Sequence, residues 1–337
     1  MLGTTMNWNA DGLLELARGY QGAAVLAAAA DLDLFSALAS EALTAPILAR
    51  RLSCDLRGLT ILLDALTALQ LLVKHEDRYS LSPGADASLT ASGPHSILAM
   101  AQHQANCLRR WVQLARVVKT GQPVEQSPSV RGEKSDQEAF IGAMHNVSSP
   151  VADQVIGSIQ PLQFRALLDI GGASGTWTRA FLRACPAAKA ILFDLPEVIP
   201  MARRLLAEEA KAGRVKFVAG DFMTDPLPPG ADLAWVSAIV HQNSRKQNRQ
   251  LFAKVFDALM PAGRIVIRDI LMHPTHTQPV AGALFAVNML VATEGGGTYT
   301  FEELREDLEA AGFAGAAVAR QDESMNSVLV AQKPGHP

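Results

Sequence analysis

Residues Leu167–Thr176 read LLDIGGASGT, an apolar run that ends in an acid and then a glycine-rich turn. Gly171, Gly172 and Gly175 permit a tight turn and a close approach of backbone to ligand. Asp194, nineteen residues past Gly175 and at the end of a second apolar run, stands where a carboxylate accepts hydrogen bonds from a ribose diol. The pair is the chemistry of a nucleoside cofactor. A dinucleotide fingerprint needs glycines at i, i+2 and i+5. Counted from Gly171, the last two places hold Ala173 and Thr176; counted from Gly172, they hold Ser174 and Trp177. Neither register suits a pyrophosphate. What remains is a D-x-G-x-x-x-G turn from Asp169 that can cradle the amino acid end of S-adenosylmethionine (SAM), a pattern that many buried strand-to-helix turns also show.

Such residues need a frame that brings strand ends together. From Ala166 onward the sequence alternates strand and helix patterns, with strands expected at Ala166–Ile170, Ala190–Asp194, Val215–Ala219, Leu233–Val240, Arg264–Ile270, Ala316–Ala319 and Ser327–Gln332. This is the βαβ signature of a mostly parallel α/β sheet, with an antiparallel hairpin possible at its end. Ligands bind such sheets at the carboxyl ends of strands, and here those ends are polar: Asp169, Asp194-Leu195, Gly220-Asp221-Phe222, His241-Gln242-Asn243-Ser244 and Asp269. Asp221 can accept from an adenine amino group while Phe222 or Leu195 covers the ring. Singly, each acid serves as well for a helix cap or a turn, Asp221 before Pro226 especially. Their order and spacing point to a nucleoside site.

The whole chain is long enough for two domains. It has 337 residues, 49% of them hydrophobic, which is long for one domain. The net charge of −3 comes without a basic block, so neither nucleic acid nor a membrane is an implied partner. Cys54, Cys107 and Cys185 form no C-x-x-C pair, which fits a reduced, cytoplasmic setting. Ala23–Leu38, the most apolar stretch, contains Asp31 and Asp33 and reads as a buried helix rather than a bilayer span. Leu59, Leu62, Leu63, Leu66 and Leu69 follow helical spacing after Asp55. With a Pro46–Leu52 helix before it and strands Leu71–His75 and Arg78–Leu81 after it, this is a helix-turn-helix with a wing. Its candidate recognition helix is rich in Leu, where a DNA reader shows Arg, Lys, Asn or Gln, so dimerisation is the preferred reading. The segment 120–136 reads as a surface loop, and Ser135 with Glu138 as a capping box for the following helix.

The chain resembles the class I SAM-dependent methyltransferases, and within them the two-domain O-methyltransferases of the caffeic acid and hydroxyindole type. The resemblance rests on GYQGAAVLAAAADLDLF, LARRLSCDLRGLTILLDALTAL, YSLSP, LLDIGGASGT, FDLPEVI, GDFM, PLPPGADLAWVSAIVH, MPAGRIVIRD and EGGGTYTFEELREDLEAAGF, in that order over nearly the whole length. It implies a Rossmann-like seven-stranded sheet with an N-terminal, mostly helical, winged-helix-like dimerisation domain. The expected boundaries are 1–100 for dimerisation, 101–160 for a helical connector contributing to the substrate pocket, and 161–337 for SAM binding. A homodimer acting on a small-molecule acceptor is implied.

By the same resemblance, His241 is the general base on an acceptor hydroxyl and Asp269 orients it, with no metal. An imidazole near pKa 6.5 removes the proton of a phenol near pKa 10 as the oxygen attacks a sulfonium methyl. The family's His-Asp-Trp triplet reads His241-Gln242-Asn243 here, and its second orienting carboxylate falls on Thr298. The competing role for His241 is a strand-end histidine bonded to the Asn243 or Ser244 turn. Asp169, Gly171, Gly172, Gly175, Asp194, Leu195, Asp221, Phe222 and Ser237 are the expected cofactor residues. Phe140, Met144, His145, Asn288 and Met289 are the expected pocket walls, with Trp111 either wall or core. Thr300 and Glu303 make a capping box and need no catalytic role. The departures from the triplet leave a second function open: a SAM-binding homodimer without methyl transfer, either a SAM-assisted hydroxylase or decarboxylase or a sensor.

Overall fold

The computed structural model describes residues 8–125 and 127–335. Two compact units share the chain. One comprises Met1–Arg109 and Ser127–Ala143; the other comprises Arg110–Gln126 and Met144–Pro337. The segment 101–160, expected as a connector, is thus divided between the two units.

In the first unit, Asp55 accepts from Gly58 N–H and starts the helix Leu56–Ala68, whose Leu59, Leu63 and Leu66 are buried. The preceding helix is Ala45–Arg51. Strands Leu72–His75 and Arg78–Leu81 pair antiparallel, with His75 opposite Arg78, and Leu43–Thr44 adds to the second of them. Phe35, Leu48 and Tyr79 fill the core. The apolar stretch 23–38 is not the single buried helix its composition suggests. It divides into Tyr20–Asp31 and Leu34–Ala37 at Asp33, whose φ of 53° interrupts the helix, and within Tyr20–Asp31 only Ala29 and Ala30 are buried. The helix Ala10–Arg18 before it buries nothing, and Leu13, Leu14, Leu16 and Tyr20 are exposed. The capping box at Ser135 is also absent. The helix begins two residues earlier, at Glu133, and Asp136 instead accepts from Ser129 N–H at 2.7 Å, tying the preceding loop to the first turn.

In the second unit a seven-stranded sheet carries β1 (Ala166–Ile170), β2 (Lys189–Asp194), β3 (Val215–Ala219), β4 (Ala231–Ser237), β5 (Leu259–Asp269), β6 (Ala314–Arg320) and β7 (Ser327–Gln332). Their order across the sheet is β6-β7-β5-β4-β1-β2-β3. Strands β1 to β5 pair in parallel, and β7 runs antiparallel to β5 and β6. Both faces of the central strands are covered, so β1 and β4 are buried along most of their length, whereas the edge strands β3 and β6 are partly to largely exposed. Leu168, Ile170, Ala234, Val236, Ile265 and Ile267 face the helices Arg245–Ala258 and Phe301–Ala310. Leu167, Trp235 and Val266, one residue out of phase, face Trp177 and Phe181 of the helix Thr176–Ala184.

The strand expected to reach Val240 stops at Ser237, because Ala238 takes φ 57° and the chain turns into a 3-10 helix at Val240–Gln242. Among the described residues no helix is long and apolar enough to cross a membrane.

Candidate active site

Parallel pairing brings the polar strand ends to one edge of the sheet. Ile170 lies opposite Phe193, and the chain beyond it is held when Gly171 N–H donates to the Phe193 carbonyl at 2.8 Å. Gly171 and Gly175 adopt φ 65° and 85°, in the left-handed region that favours glycine. A Cβ at Gly171 would stand 2.6 Å from Ile239 Cδ1, one at Gly172 2.6 Å from Leu192 Cγ, and one at Gly175 2.5 Å from Leu206 Cδ1. The turn therefore leaves no room for side chains, and its backbone opens toward the strand ends.

Asp194 Oδ2 accepts from Ala173 N–H and Oδ1 from Leu195 N–H, both at 2.7 Å. Each oxygen keeps a further lone pair for a ligand hydroxyl. Burial raises this carboxyl above its ordinary value. Leu195 is partly exposed. Asp221 closes a turn, with Oδ1 accepting from Met223 N–H at 2.8 Å, and among the described residues its Oδ2 has no protein partner. Lys254 ties the same turn to its helix through the carbonyls of Phe222, Met223 and Asp225. The ring of Phe222 reaches within 3.8 Å of the Cβ position of Gly171. Asp169 is fully buried and accepts from the Thr178 hydroxyl; burial pushes its carboxyl up to about 7. Ser237 Oγ is held by Arg268, itself buried and stacked on the Trp177 ring at 4.5 Å.

His241 and Asp269 meet at the ends of β4 and β5. His241 Nδ1 lies 3.0 and 2.9 Å from the two carboxylate oxygens of Asp269, both residues are buried, and Asp269 Oδ1 also accepts from Ile270 N–H. The histidine therefore bonds a carboxylate rather than the Asn243 or Ser244 turn. Ser244 instead caps the helix Arg245–Ala258 with Gln247. Thr298 directs its hydroxyl toward the Gly282 carbonyl at 3.4 Å.

Three further features hold the histidine. Phe285 stands edge-on to the imidazole with centroids 4.7 Å apart, Gly297 N–H donates to the His241 carbonyl at 2.9 Å, and a Cβ at Gly296 would come within 2.5 Å of that carbonyl. Sequence reasoning missed Phe285, although it sits three and four residues before Asn288 and Met289 on one helical face. The glycines at 295–297 were visible as a run, but their approach to the His241 backbone was not.

The expected pocket residues divide. On the helix Val280–Ala292, Met289 is buried and Asn288 Oδ1 accepts from Trp111 Nε1 at 2.9 Å. Met144 belongs to the second unit and is half-buried. His145 is half-buried there too, and Nδ1 meets Thr176 Oγ1 at 2.8 Å; burial first, then the charge of Arg179, lowers its pKa. Phe140 falls in the first unit, is 41% exposed and packs its ring edgewise on His103.

Residues 14–91 match the O-methyltransferase dimerisation domain family, and residues 125–314, more than half of the chain, match the O-methyltransferase domain family. The chain belongs to the O-methyltransferase family. The methyltransferase is 33% identical over 309 residues to the tetracenomycin polyketide synthesis 8-O-methyl transferase of Streptomyces glaucescens, covering 89% of this chain and 90% of that relative. It is 31% identical over 333 residues to an N,N-dimethyltransferase of Streptomyces rimosus, covering 96% of each. The human N-acetylserotonin methyltransferase structure in complex with SAM superposes with a TM-score of 0.80 at 25% identity, covering 98% of this chain and 100% of that one. The methyltransferase is SAM-dependent and transfers methyl groups to oxygen. Its residues fit that cofactor: glycines that a Cβ would block, a carboxylate with spare lone pairs at the second strand end, and one free carboxylate oxygen at the third.

The raised pKa of Asp169 makes stability pH-dependent with a definite sign. A carboxyl whose folded value of about 7 lies above its unfolded value takes up a proton on folding. Its stabilising contribution is complete below about pH 4 and is lost as pH rises through about 7. The difference in urea unfolding free energy between the wild type and Asp169→Asn should therefore drift by a few kcal/mol across that window, against the wild type at high pH. A constant difference would show that Asp169 ionises normally.

Proposed function

We propose that the methyltransferase methylates a hydroxyl of a small aromatic, polyketide-like acceptor, with His241 as general base and Asp269 as its orienting partner. The observation that supports this reading is the buried pair in which His241 Nδ1 meets both oxygens of Asp269. The carboxylate keeps the proton on Nδ1, which leaves Nε2 with its lone pair free to accept a proton. Phe285 against the ring and Gly297 on the carbonyl limit how far the imidazole can turn. One Nδ1–H shared between the two Asp269 oxygens supports this orientation where Thr298 offers no carboxylate. A base of this kind suits an oxygen acceptor: a phenol near pKa 10 must lose its proton as it attacks, whereas a neutral amine already offers a lone pair.

SAM supplies an electrophilic methyl group on a sulfonium when bound. In this reading Asp194 accepts from its ribose hydroxyls, Asp221 Oδ2 from its adenine amino group, and Leu195 and Phe222 cover the base. Gly171, Gly172 and Gly175 bring backbone to its amino acid end, with Asp169 and Ser237 shaping the floor. Met144, His145, Asn288 and Met289 line the acceptor side. Labelled methyl transfer to a panel of hydroxylated aromatics tests the whole reading. Binding of S-adenosylhomocysteine with no methylated product from any of these hydroxylated aromatics would refute the proposed acceptor class.

The same proposal includes a homodimer, supported by the dimerisation-domain match and by the exposed apolar residues of the Ala10–Arg18 helix. Removing such side chains from water contributes about 1.5–3 kcal/mol each, which favours association. Sedimentation should give twice the chain mass of 36.0 kDa, and the double change Leu13→Asp and Leu16→Asp should shift it to monomer. A monomeric wild type would refute the dimer.

Two substitutions test the site. Asp194→Ala should weaken S-adenosylhomocysteine by about 3 kcal/mol in calorimetry, the scale of two charge-assisted hydrogen bonds; unchanged affinity would remove the ribose assignment. His241→Ala should lower kcat roughly 10²- to 10⁴-fold with cofactor affinity intact. Near-normal turnover would place the base elsewhere, and His145 would be the next residue to change.

A further inference from the structure

The Trp111–Asn288 contact bears on what the acceptor must carry. An indole N–H is a donor and never an acceptor, so the amide oxygen of Asn288 has to face Trp111 Nε1, 2.9 Å away. The Nδ2 group then points the other way with its donors. Among the described residues it makes no hydrogen bond, and the residue is only half-buried, so this donor is open to a ligand. Phe285, which packs against the His241 ring, lies three residues earlier on the same helix. Residues at that spacing are neighbours, with Cβ atoms about 5–6 Å apart. All four side chains belong to the second unit.

From this juxtaposition we infer that Trp111 is a specificity-determining positioning residue. It fixes Asn288 as a hydrogen-bond donor, and the pair selects aromatic acceptors that bear a keto or quinone oxygen besides the hydroxyl presented to His241. The inference rests on the acceptor site proposed above. Its logic is one of unpaired groups: an acceptor without that oxygen leaves the Asn288 donors desolvated and unmatched, while a carbonyl oxygen, which only accepts, fits them. Without the indole N–H the amide is free to turn over and present its oxygen, and the preference disappears. Asn288→Asp in the presence of Trp111 goes further, because a carboxylate offers acceptors alone.

The test is a binding comparison in the presence of S-adenosylhomocysteine, so that it does not depend on turnover. The probes are 5-hydroxy-1-tetralone and 8-hydroxy-1-tetralone against 5,6,7,8-tetrahydro-1-naphthol, which keeps the phenol and lacks the ketone. The wild type should bind at least one ketone about five- to tenfold more tightly than the naphthol, the worth of one hydrogen bond. Trp111→Phe, which keeps the aromatic volume, and Asn288→Asp should each abolish that advantage, the ketones losing affinity relative to the naphthol, while S-adenosylhomocysteine affinity is unchanged. A wild type with no ketone preference, or variants that retain it or lose all three ligands equally, would overturn the inference. If the preference holds but none of these acceptors is methylated, the proposed role of His241 on this acceptor class fails and the inference about binding stands.

Discussion

The parallel pairing of β1 with β2 and β4, and of β4 with β5, is the constraint on which every part of the site depends. Parallel strands must all run the same way, so their carboxyl ends share one edge, and the residues just beyond them are brought together without being neighbours in sequence. Ile170 opposite Phe193 sets Asp194 beside the glycine turn, and Ser237 opposite Arg268 sets the His241 turn beside Asp269. A slip of one residue between β4 and β5 would send Asp269 to the other face of the sheet and leave the imidazole without its carboxylate.

The family triplet departs at Gln242 and Asn243, and the structure shows what stands in its place. Asn243 is buried and donates to Asn248 Oδ1 at 3.1 Å, and Asn248, also buried, donates to the Val240 carbonyl at 2.9 Å. The Tyr299 hydroxyl donates to the Asn243 carbonyl. The 3-10 turn that carries His241 is therefore closed by the Asn243 amide, by Asn248 of the next helix and by the Tyr299 hydroxyl. Buried amides are costly when unmatched and stiffening when matched, and here each has a partner. Farther along, the fully buried Asp307 accepts from both Arg245 and Arg249, which locks that helix to Phe301–Ala310 just after the glycine run.

The central strands were legible because burial on both faces leaves apolar runs that end in polar residues. Ala166–Ile170, Val215–Ala219 and Ser327–Gln332 run between the same residues in sequence expectation and structure. Reading failed where a tertiary contact outweighs local pattern. Ala238 turns at positive φ because the chain must leave the sheet, so β4 ends early. Asp136, buried and accepting from Ser129, overrides the Ser135 capping signal. The stretch 23–38 looked buried because composition cannot distinguish a core helix from one whose apolar face is open. At the site, the residue types pointed to His241 and Asp269, but only coordinates could reveal that both carboxylate oxygens face one nitrogen, or that Trp111 reaches Asn288, 177 positions along the chain.

Arg268 shows how the two faces of β5 divide the work. It neighbours Asp269 in sequence, so alternation sends its side chain to the opposite face, over the Trp177 ring. Burial pushes its pKa down to about 10, still far enough above neutrality for the guanidinium to remain charged. A cation in that position is costly unless its donors are matched. Two reach Asn326 Oδ1, a third reaches Ser237 Oγ, and the Trp177 face covers the plane. The result cross-ties the carboxyl ends of β4 and β5 to the chain entering β7, behind the histidine and its carboxylate. A neutral apolar residue would fill the same space, but it could not hold Ser237 at the end of β4, one strand away from Asp269.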